Sequence, residues 1–315
     1  MEKNNIETLA QNFSQRFKIA MNRLGIEQDS IKLKPNLSDV NISIIDYIDE
    51  EEMKNVILEN DKTAYSPYTN TIYIHESFVN APQLEYHLTK RFLECIATKK
   101  EDNKIFNGIS TSIGQVSYNS SLNNAINEHL ANIILMTSIY DIHNSEAYDK
   151  SEIHDLEEDP YKNNMLERKN LFKIEEIVGS KTIIESYLNS DYIQSEREFE
   201  KYGVAFGPIA QKMDKLSITT KLPILNIGEN DETLQYEIDK ELIGAYAKKI
   251  ISEHHVEKSS IFKEHIVSGE TVRAIFGDKN KHGYKNVDMN VIYYEKLISG
   301  LEFSTQNRMT PSKTV

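Results

Sequence analysis

The amino-acid sequence predicts an α+β fold, in which a small N-terminal sheet with crossing helices precedes a mainly α-helical C-terminal part. Two patterns support this expectation. Short runs rich in β-branched residues, bounded by turn-forming residues, occur between Ser30 and His75. Apolar residues recur at helical spacing in the segments around these runs, and this spacing dominates the chain after residue 163.

The first predicted element is an amphipathic helix from Asn5 to Leu24, followed by Gly25 as a C-terminal cap. Its polar face is not strongly basic, so we expect it to pack on its own domain rather than on a membrane. Strand-like stretches follow at Ser30–Lys34 and Val40–Ile48, and a short acidic helix is predicted at Glu50–Leu58.

The next elements are a turn, a strand and two long helices. Pro67 and Asn70 predict a turn before a strand at Thr71–His75. Helices are then predicted at Glu85–Lys99 and Ser121–Tyr140, each with one apolar face. The polar segment between them, Glu101–Ser120, is predicted to be a loop.

An acidic, turn-rich stretch suggests where the chain divides. We expect an α+β region at 1–142, a linker or loop at 143–162, a helical region at 163–300 and a flexible tail at 301–315. The helical segments predicted after the linker are Asn163–Val178, Lys181–Asn189, Asp191–Tyr202, Pro208–Leu216, Leu234–Glu253, Ile261–Phe276 and Asn286–Ser299.

Composition narrows the classes of function. The 315 residues are 39% hydrophobic and 27% charged, which is typical of a globular protein with a sizeable core. With 36 Lys and Arg against 49 Asp and Glu, the net charge is -13 and the basic residues form no extended patch. We therefore expect no nucleic-acid partner and no membrane partner.

The single cysteine, Cys95, lies on the apolar face of the Glu85–Lys99 helix. One cysteine excludes an intrachain disulfide and favours a reducing compartment. Because the N-terminus also lacks the apolar core of a secretory signal, a cytoplasmic location is expected; release by a signal-less secretion system is the alternative.

The order of these elements resembles a known family. The helix EYHLTKRFLECIATK follows the strand-like YSPYTNTIYIH and precedes a helix that carries Asn127 and Glu128, and this order resembles the zincin-type (gluzincin) metallopeptidases of low-GC bacteria. The stretch from Leu171 to Gly203 resembles the helical region that follows their third metal ligand. The resemblance spans roughly residues 30 to 205 and implies a zincin-like core.

In that family the first helix carries H-E-x-x-H, which supplies two zinc ligands and a general base, and a glutamate on the next helix completes the site. The corresponding five residues here begin with Lys90 and Arg91 and end with Glu94. Only Glu128 keeps the expected chemistry. The signature is therefore degenerate, and no catalytic residue, metal or other cofactor is expected.

Several interpretations of these positions remain open. Lys90 and Glu94 are one turn apart and can pair, so that an ammonium replaces the metal beside Glu128; alternatively, Lys90 extends to solvent. A rearranged metal site could use His87 and Glu94 with Glu128 or His129. Glu94 and Glu128 could also act as a general acid and base.

The function expected from the resemblance is that of a catalytically inactive pseudopeptidase that binds a protein or peptide as a regulator or effector. In zincins the strand before the first helix pairs with an extended substrate, which implies a peptide-binding edge at Ile72, Tyr73 and Ile74. The alternatives are a divergent metal- or carboxylate-dependent hydrolase, and a structural or assembly protein with a vestigial cleft. The sequence leaves the oligomeric state open.

Overall fold

A computed structural model of the chain describes residues 2–27, 39–46, 63–101, 104–113, 116–137, 165–221 and 231–253. The chain forms two compact units. The first comprises Met1–Leu171 and Gly179–Ser195, and the second comprises Phe172–Val178 and Glu196–Val315. The described part is a mixed α+β fold, mostly helical with two small sheets.

The described helices and strands agree in order with most of the predicted elements. The helices are α1 Glu2–Arg23, α2 Leu84–Ile96, α3 Ser120–Met136, α4 Met165–Val178, α5 Ser180–Leu188, α6 Tyr192–Glu200, α7 Phe206–Lys221 and α8 Asp231–Glu253. The strands are β1 Asn41–Ile45, β2 Thr63–Ser66, β3 Thr71–His75, β4 Thr98–Glu101, β5 Lys104–Asn107, β6 Ser110–Ile113 and β7 Val116–Tyr118.

The first sheet has the strand order β1-β3-β2, which places β3 in the middle. Strand β3 pairs in parallel with β1, with Ile72 opposite Ile42, and antiparallel with β2, with Ile72 opposite Tyr65. Ile72, Tyr73 and Ile74 are buried. The prediction that these three residues form a peptide-binding edge is therefore wrong, because the main-chain groups of β3 are already used by two neighbouring strands.

The second sheet is an antiparallel meander of the order β4-β5-β6-β7. It occupies the segment that was predicted to be a loop, so that prediction is wrong. Gly108 and Ile109 connect β5 and β6, and Gly108 has φ +60°. A positive φ at the first of two loop residues is the geometry of a tight hairpin turn, and glycine adopts it without strain.

Helix α2 is the centre of the first unit. It packs against α1, α3 and β2, and every residue of α2 except Glu85 and Glu94 is buried. On one side, the rings of Phe92 in α2 and Phe13 in α1 lie 5.0 Å apart between centroids. An ordinary surface helix buries only one stripe, so the polar residues of α2 must find partners inside the protein.

The described core of the second unit is formed by helices. Helices α7 and α8 pack together, and Pro208 lies in the first turn of α7, where its missing N–H interrupts no helical hydrogen bond. A buried ion pair joins Lys173 to Asp239, with 2.7 Å between Nζ and Oδ1. Gln235 also donates a hydrogen bond to Asp239.

The predicted division at residues 143–162 does not coincide with the boundaries of the two compact units. Helix α5 follows the predicted linker in sequence but belongs to the first unit. The proposed linker and the tail at 301–315 lie outside the described residues. So do the strand predicted at Ser30–Lys34 and the helices predicted at Glu50–Leu58, Ile261–Phe276 and Asn286–Ser299. Among the described residues, no helix is long and apolar enough to span a bilayer.

Candidate functional site

Helix α2 packs on α3 at the positions that the sequence resemblance implies for a degenerate metal site, namely Lys90, Arg91, Glu94 and Glu128. The Lys90 ammonium lies 3.2 Å from Oε1 of Glu128, and these residues are only 4% and 5% exposed. The alternative in which Lys90 extends to solvent is therefore wrong. Its ammonium also lies 5.7 Å from the centroid of the Tyr86 ring, whose electron-rich face favours a cation.

Glu94 belongs to a second ion pair at the same place. Arg91 Nη1 lies 2.6 Å and 2.7 Å from the two carboxylate oxygens of Glu94, and Arg91 Nε donates to Thr63 Oγ1 in β2. The expected pairing of Glu94 with Lys90 is therefore corrected: Arg91, three residues before Glu94, is its cation. On a helix the i,i+3 and i,i+4 positions both lie beside a given residue, so spacing alone allows either pair.

Asn127 connects the two ion pairs. Its Nδ2 donates to the main-chain oxygen of Lys90 at 3.3 Å and to Glu94 Oε1 at 3.2 Å. Because Asn127 and Glu128 are consecutive on α3, one segment of that helix contacts both charged parts of α2. The structure thus brings buried Lys90, Arg91 and Glu128 and half-buried Glu94 into one polar cluster, which we call the α2–α3 charge cluster.

His87 occupies an aromatic environment. Its ring makes edge contacts with Phe78 and Tyr86, with centroid distances of 5.0 Å and 5.5 Å. His129 is buried on α3. In the part of the chain that the structure describes, no group of three or more His, Cys, Asp or Glu side chains is arranged to hold a metal ion. The geometry therefore gives no support to a rearranged site built on His87.

Cys95 lies next to the charge cluster but is poorly suited to nucleophilic chemistry. Its Sγ and the hydroxyl of Tyr65 both donate to Asn70 Oδ1, at 3.6 Å and 2.9 Å. Burial, with a further contribution from the negative charge of Glu94, raises the pKa of Cys95 to about 11. Burial likewise raises the pKa of Tyr65. Since the thiolate is the reactive form, a thiol with this pKa is nearly unreactive at neutral pH.

The sequence identifies Asn127 beside Glu128 on the same helix but predicts no contact for it, and it gives no indication of two further residues of this region. Thr63 and Tyr187 are distant in sequence and carry no motif, so no local signal indicated them. Tyr187, on α5, is fully buried, and its pKa is raised by burial and then by the charge of Glu94.

No family model, curated protein or solved structure matches this chain. The function must therefore be argued from the geometry of the α2–α3 charge cluster and from the motif resemblance in the sequence.

Proposed function

We propose that this protein is a catalytically inactive, zincin-like pseudopeptidase that acts by binding a protein or peptide. The observation that carries the proposal is the buried ion pair of Lys90 and Glu128 between α2 and α3. In the arrangement that the sequence resembles, this is where a divalent metal would bind. Here an ammonium occupies the corresponding position and faces the one retained carboxylate.

The chemistry of the donors favours a metal-free site. Zinc binds imidazole, thiolate or carboxylate through lone pairs, and an ammonium or guanidinium offers none. Both carboxylates of the cluster are engaged by cations, Glu128 by Lys90 and Glu94 by Arg91. A carboxylate held in a buried ion pair would have to lose that partner before it could bind a metal or take a proton from water.

We place the proposed peptide-binding edge on β1 instead of β3. Among the described strands, β1 and β2 are the two outer strands of the first sheet; β2 is buried along its length, whereas Ile44 of β1 is 42% exposed. An outer strand can accept an extended peptide through main-chain hydrogen bonds, and a neighbouring apolar side chain adds contact area. The same partner-binding role fits a regulator or an effector.

Metal analysis tests the catalytic half of the proposal. Protein purified without chelator is expected to contain well under one zinc per chain and to leave casein uncleaved. One zinc per chain together with chelator-sensitive cleavage would establish the hydrolase alternative instead. The restored variant Lys90→His, Arg91→Glu, Glu94→His is expected to bind zinc in titration calorimetry if Glu128 is placed as a third ligand. Absence of zinc binding by this variant, if it is folded, would contradict the zincin-like placement.

A comparison of two exposed isoleucines tests the binding half. Ile44→Asp should abolish capture of a partner from a host lysate, whereas Ile193→Asp should not, although Ile193 is also exposed, at 59%. Equal capture by both variants would exclude β1 as the binding edge. Failure of the wild-type protein to capture any partner would favour the structural or assembly alternative.

A further inference from the structure

The side-chain amide of Asn70 forms hydrogen bonds at both of its ends. Its Nδ2 donates to the main-chain oxygen of Asp39 at 2.9 Å. Its Oδ1 accepts from the hydroxyl of Tyr65 at 2.9 Å and from Cys95 Sγ at 3.6 Å. The main-chain oxygen of Asn70 also accepts from the N–H of Asn41 at 3.0 Å. One residue therefore connects the chain at the start of β1 with β2 and α2.

The residue type at position 70 matches both sets of contacts. A main-chain oxygen is an acceptor, so the contact with Asp39 requires the NH2 group of the amide. An aspartate would bring a second acceptor to that oxygen, and a glycine would bring neither group. Asn70 also has φ +51°, a left-handed conformation that asparagine and glycine adopt with little strain. Substitution can therefore remove the side-chain bonds while keeping the turn.

Strand β1 benefits from such a contact because burial specifies its register only weakly. None of its five residues is fully buried: Asn41 and Ile44 are exposed, and the other three are half-buried. Register is strongly specified where one face of a strand is buried and weakly where it is not. Ile44 and Ile45 also point to opposite faces, because successive side chains alternate along a strand. The apolar pattern alone does not distinguish the observed pairing from one shifted by a single residue.

We propose that Asn70 is the positioning residue that fixes β1 in register beside β3. The observed register places Asn41 opposite Thr71, the residue after Asn70, so the contacts of Asn70 act at the first pair of the ladder. Tyr65 and Cys95 are both buried and anchor the amide from the inside. A slip by one residue would turn Ile44 to the other face of the sheet. The role of this edge in peptide binding rests on the proposed function, whereas the contacts of Asn70 do not.

Hydrogen exchange measured on the full-length protein tests the proposal. Asn70→Gly keeps the left-handed turn and removes the amide, so exchange in residues 39–45 should rise about fivefold, the effect of losing one hydrogen bond. Exchange in α3 should stay at the wild-type rate. Asn70→Asp keeps an acceptor for Tyr65 but loses the donor to Asp39, so it should raise exchange in residues 39–45 at least as much.

The matched control is Asn119→Gly. Asn119 also has a positive φ, of +61°, and its Nδ2 donates to the main-chain oxygen of Ile109 at 3.4 Å, in another part of the first unit. This variant should leave exchange in residues 39–45 unchanged. The proposal is overturned if Asn70→Gly exchanges like wild type, because Asn70 would then act only as a turn residue. It is also overturned if exchange rises equally in residues 39–45 and in α3, which would indicate general destabilisation.

Capture of the partner identified with the wild-type protein separates this inference from the proposed function. If Ile44→Asp abolishes capture, Asn70→Gly should weaken it by a factor similar to the change in exchange, and Asn119→Gly should not. Normal capture by Asn70→Gly in that case would overturn the positioning role and leave the proposed function intact. If Ile44→Asp captures the partner normally, the proposed edge is wrong, and the exchange result alone decides whether Asn70 positions β1.

Discussion

Replacing Lys90 by methionine should destabilise the first unit strongly. Methionine has a similar length but no charge, so the substitution removes the ammonium that lies 3.2 Å from Glu128 while largely keeping the packing. Since Glu128 is 5% exposed, water cannot easily take over the role of the ammonium. Removing one partner of a buried ion pair costs about 3 to 5 kcal/mol, and we expect a loss in that range at neutral pH.

The loss should depend on pH in a defined direction. Without the ammonium, burial raises the pKa of Glu128 in the folded variant above the value of about 4.3 for an unfolded glutamate. The folded variant then binds a proton more readily than the unfolded chain. Its deficit is therefore complete above the raised folded pKa and shrinks as the pH falls through that value towards the unfolded one.

Hydrogen exchange measured by mass spectrometry suits this test, because peptides from α2 and α3 report on the first unit alone. Lys181→Met is the matched control. Its ammonium lies 3.8 Å from Glu185 and its side chain is 53% exposed, so its removal should change stability by less than about 1 kcal/mol. The double variant Lys90→Met, Glu128→Leu should recover most of the loss, since replacing both members of a buried pair is often neutral.

Two results would refute the reasoning about Lys90. The first is an effect of Lys90→Met no larger than that of Lys181→Met, which would mean that the buried ammonium contributes no more than an exposed one. The second is a double variant that is as unstable as the single variant, because the loss would then come from packing rather than from a carboxylate that has lost its ammonium.

Three further predictions concern other buried groups. Gly108→Ala should cost about 1 to 3 kcal/mol, measured by urea unfolding, because φ is +60° there and the new Cβ would clash with Tyr187; stability equal to wild type would contradict this. The stability of the wild-type protein should fall as the pH rises from 9 to 11. In this range the Cys95 thiol ionises in the unfolded chain but stays protonated in the folded protein, where its pKa is about 11. The variant Cys95→Ala should show a smaller fall. Lys173→Met should increase hydrogen exchange in α8, because it removes the ammonium that pairs with the buried carboxylate of Asp239. Unchanged exchange in α8 would contradict this prediction.

The long helices were predictable because their apolar spacing repeats over several turns. Helices α2 and α3 begin and end within a few residues of the predicted bounds. The meander was not predictable in the same way. Its strands are three or four residues long, and Lys104–Asn107 shows no clean alternation of polar and apolar residues. Gly108 indicates a loop in the sequence, although in the structure it forms part of a tight turn within a sheet.

The position of β3 shows why sheet edges are difficult to infer from sequence. The strand itself was predicted correctly at Thr71–His75. Its parallel partner β1, however, lies well before it in sequence, and nothing local to Ile72 indicates that pairing. The same limit applies to the charge cluster. Helix order predicted that Lys90, Glu94 and Glu128 meet, whereas the choice of Arg91 as the partner of Glu94 depends on side-chain geometry between packed elements.

The proposed replacement of a metal site by the α2–α3 charge cluster implies a specific balance of charges. Lys90 and Arg91 contribute two positive charges, and Glu94 and Glu128 contribute two negative charges, so these four groups are neutral together. In the restored H-E-x-x-H variant, the new histidines are neutral and the two carboxylates, at positions 91 and 128, leave a charge of minus two. A zinc ion would neutralise that charge. The wild-type chain achieves the same balance with two side-chain cations, and a divalent cation added to it would leave an excess positive charge in a buried site.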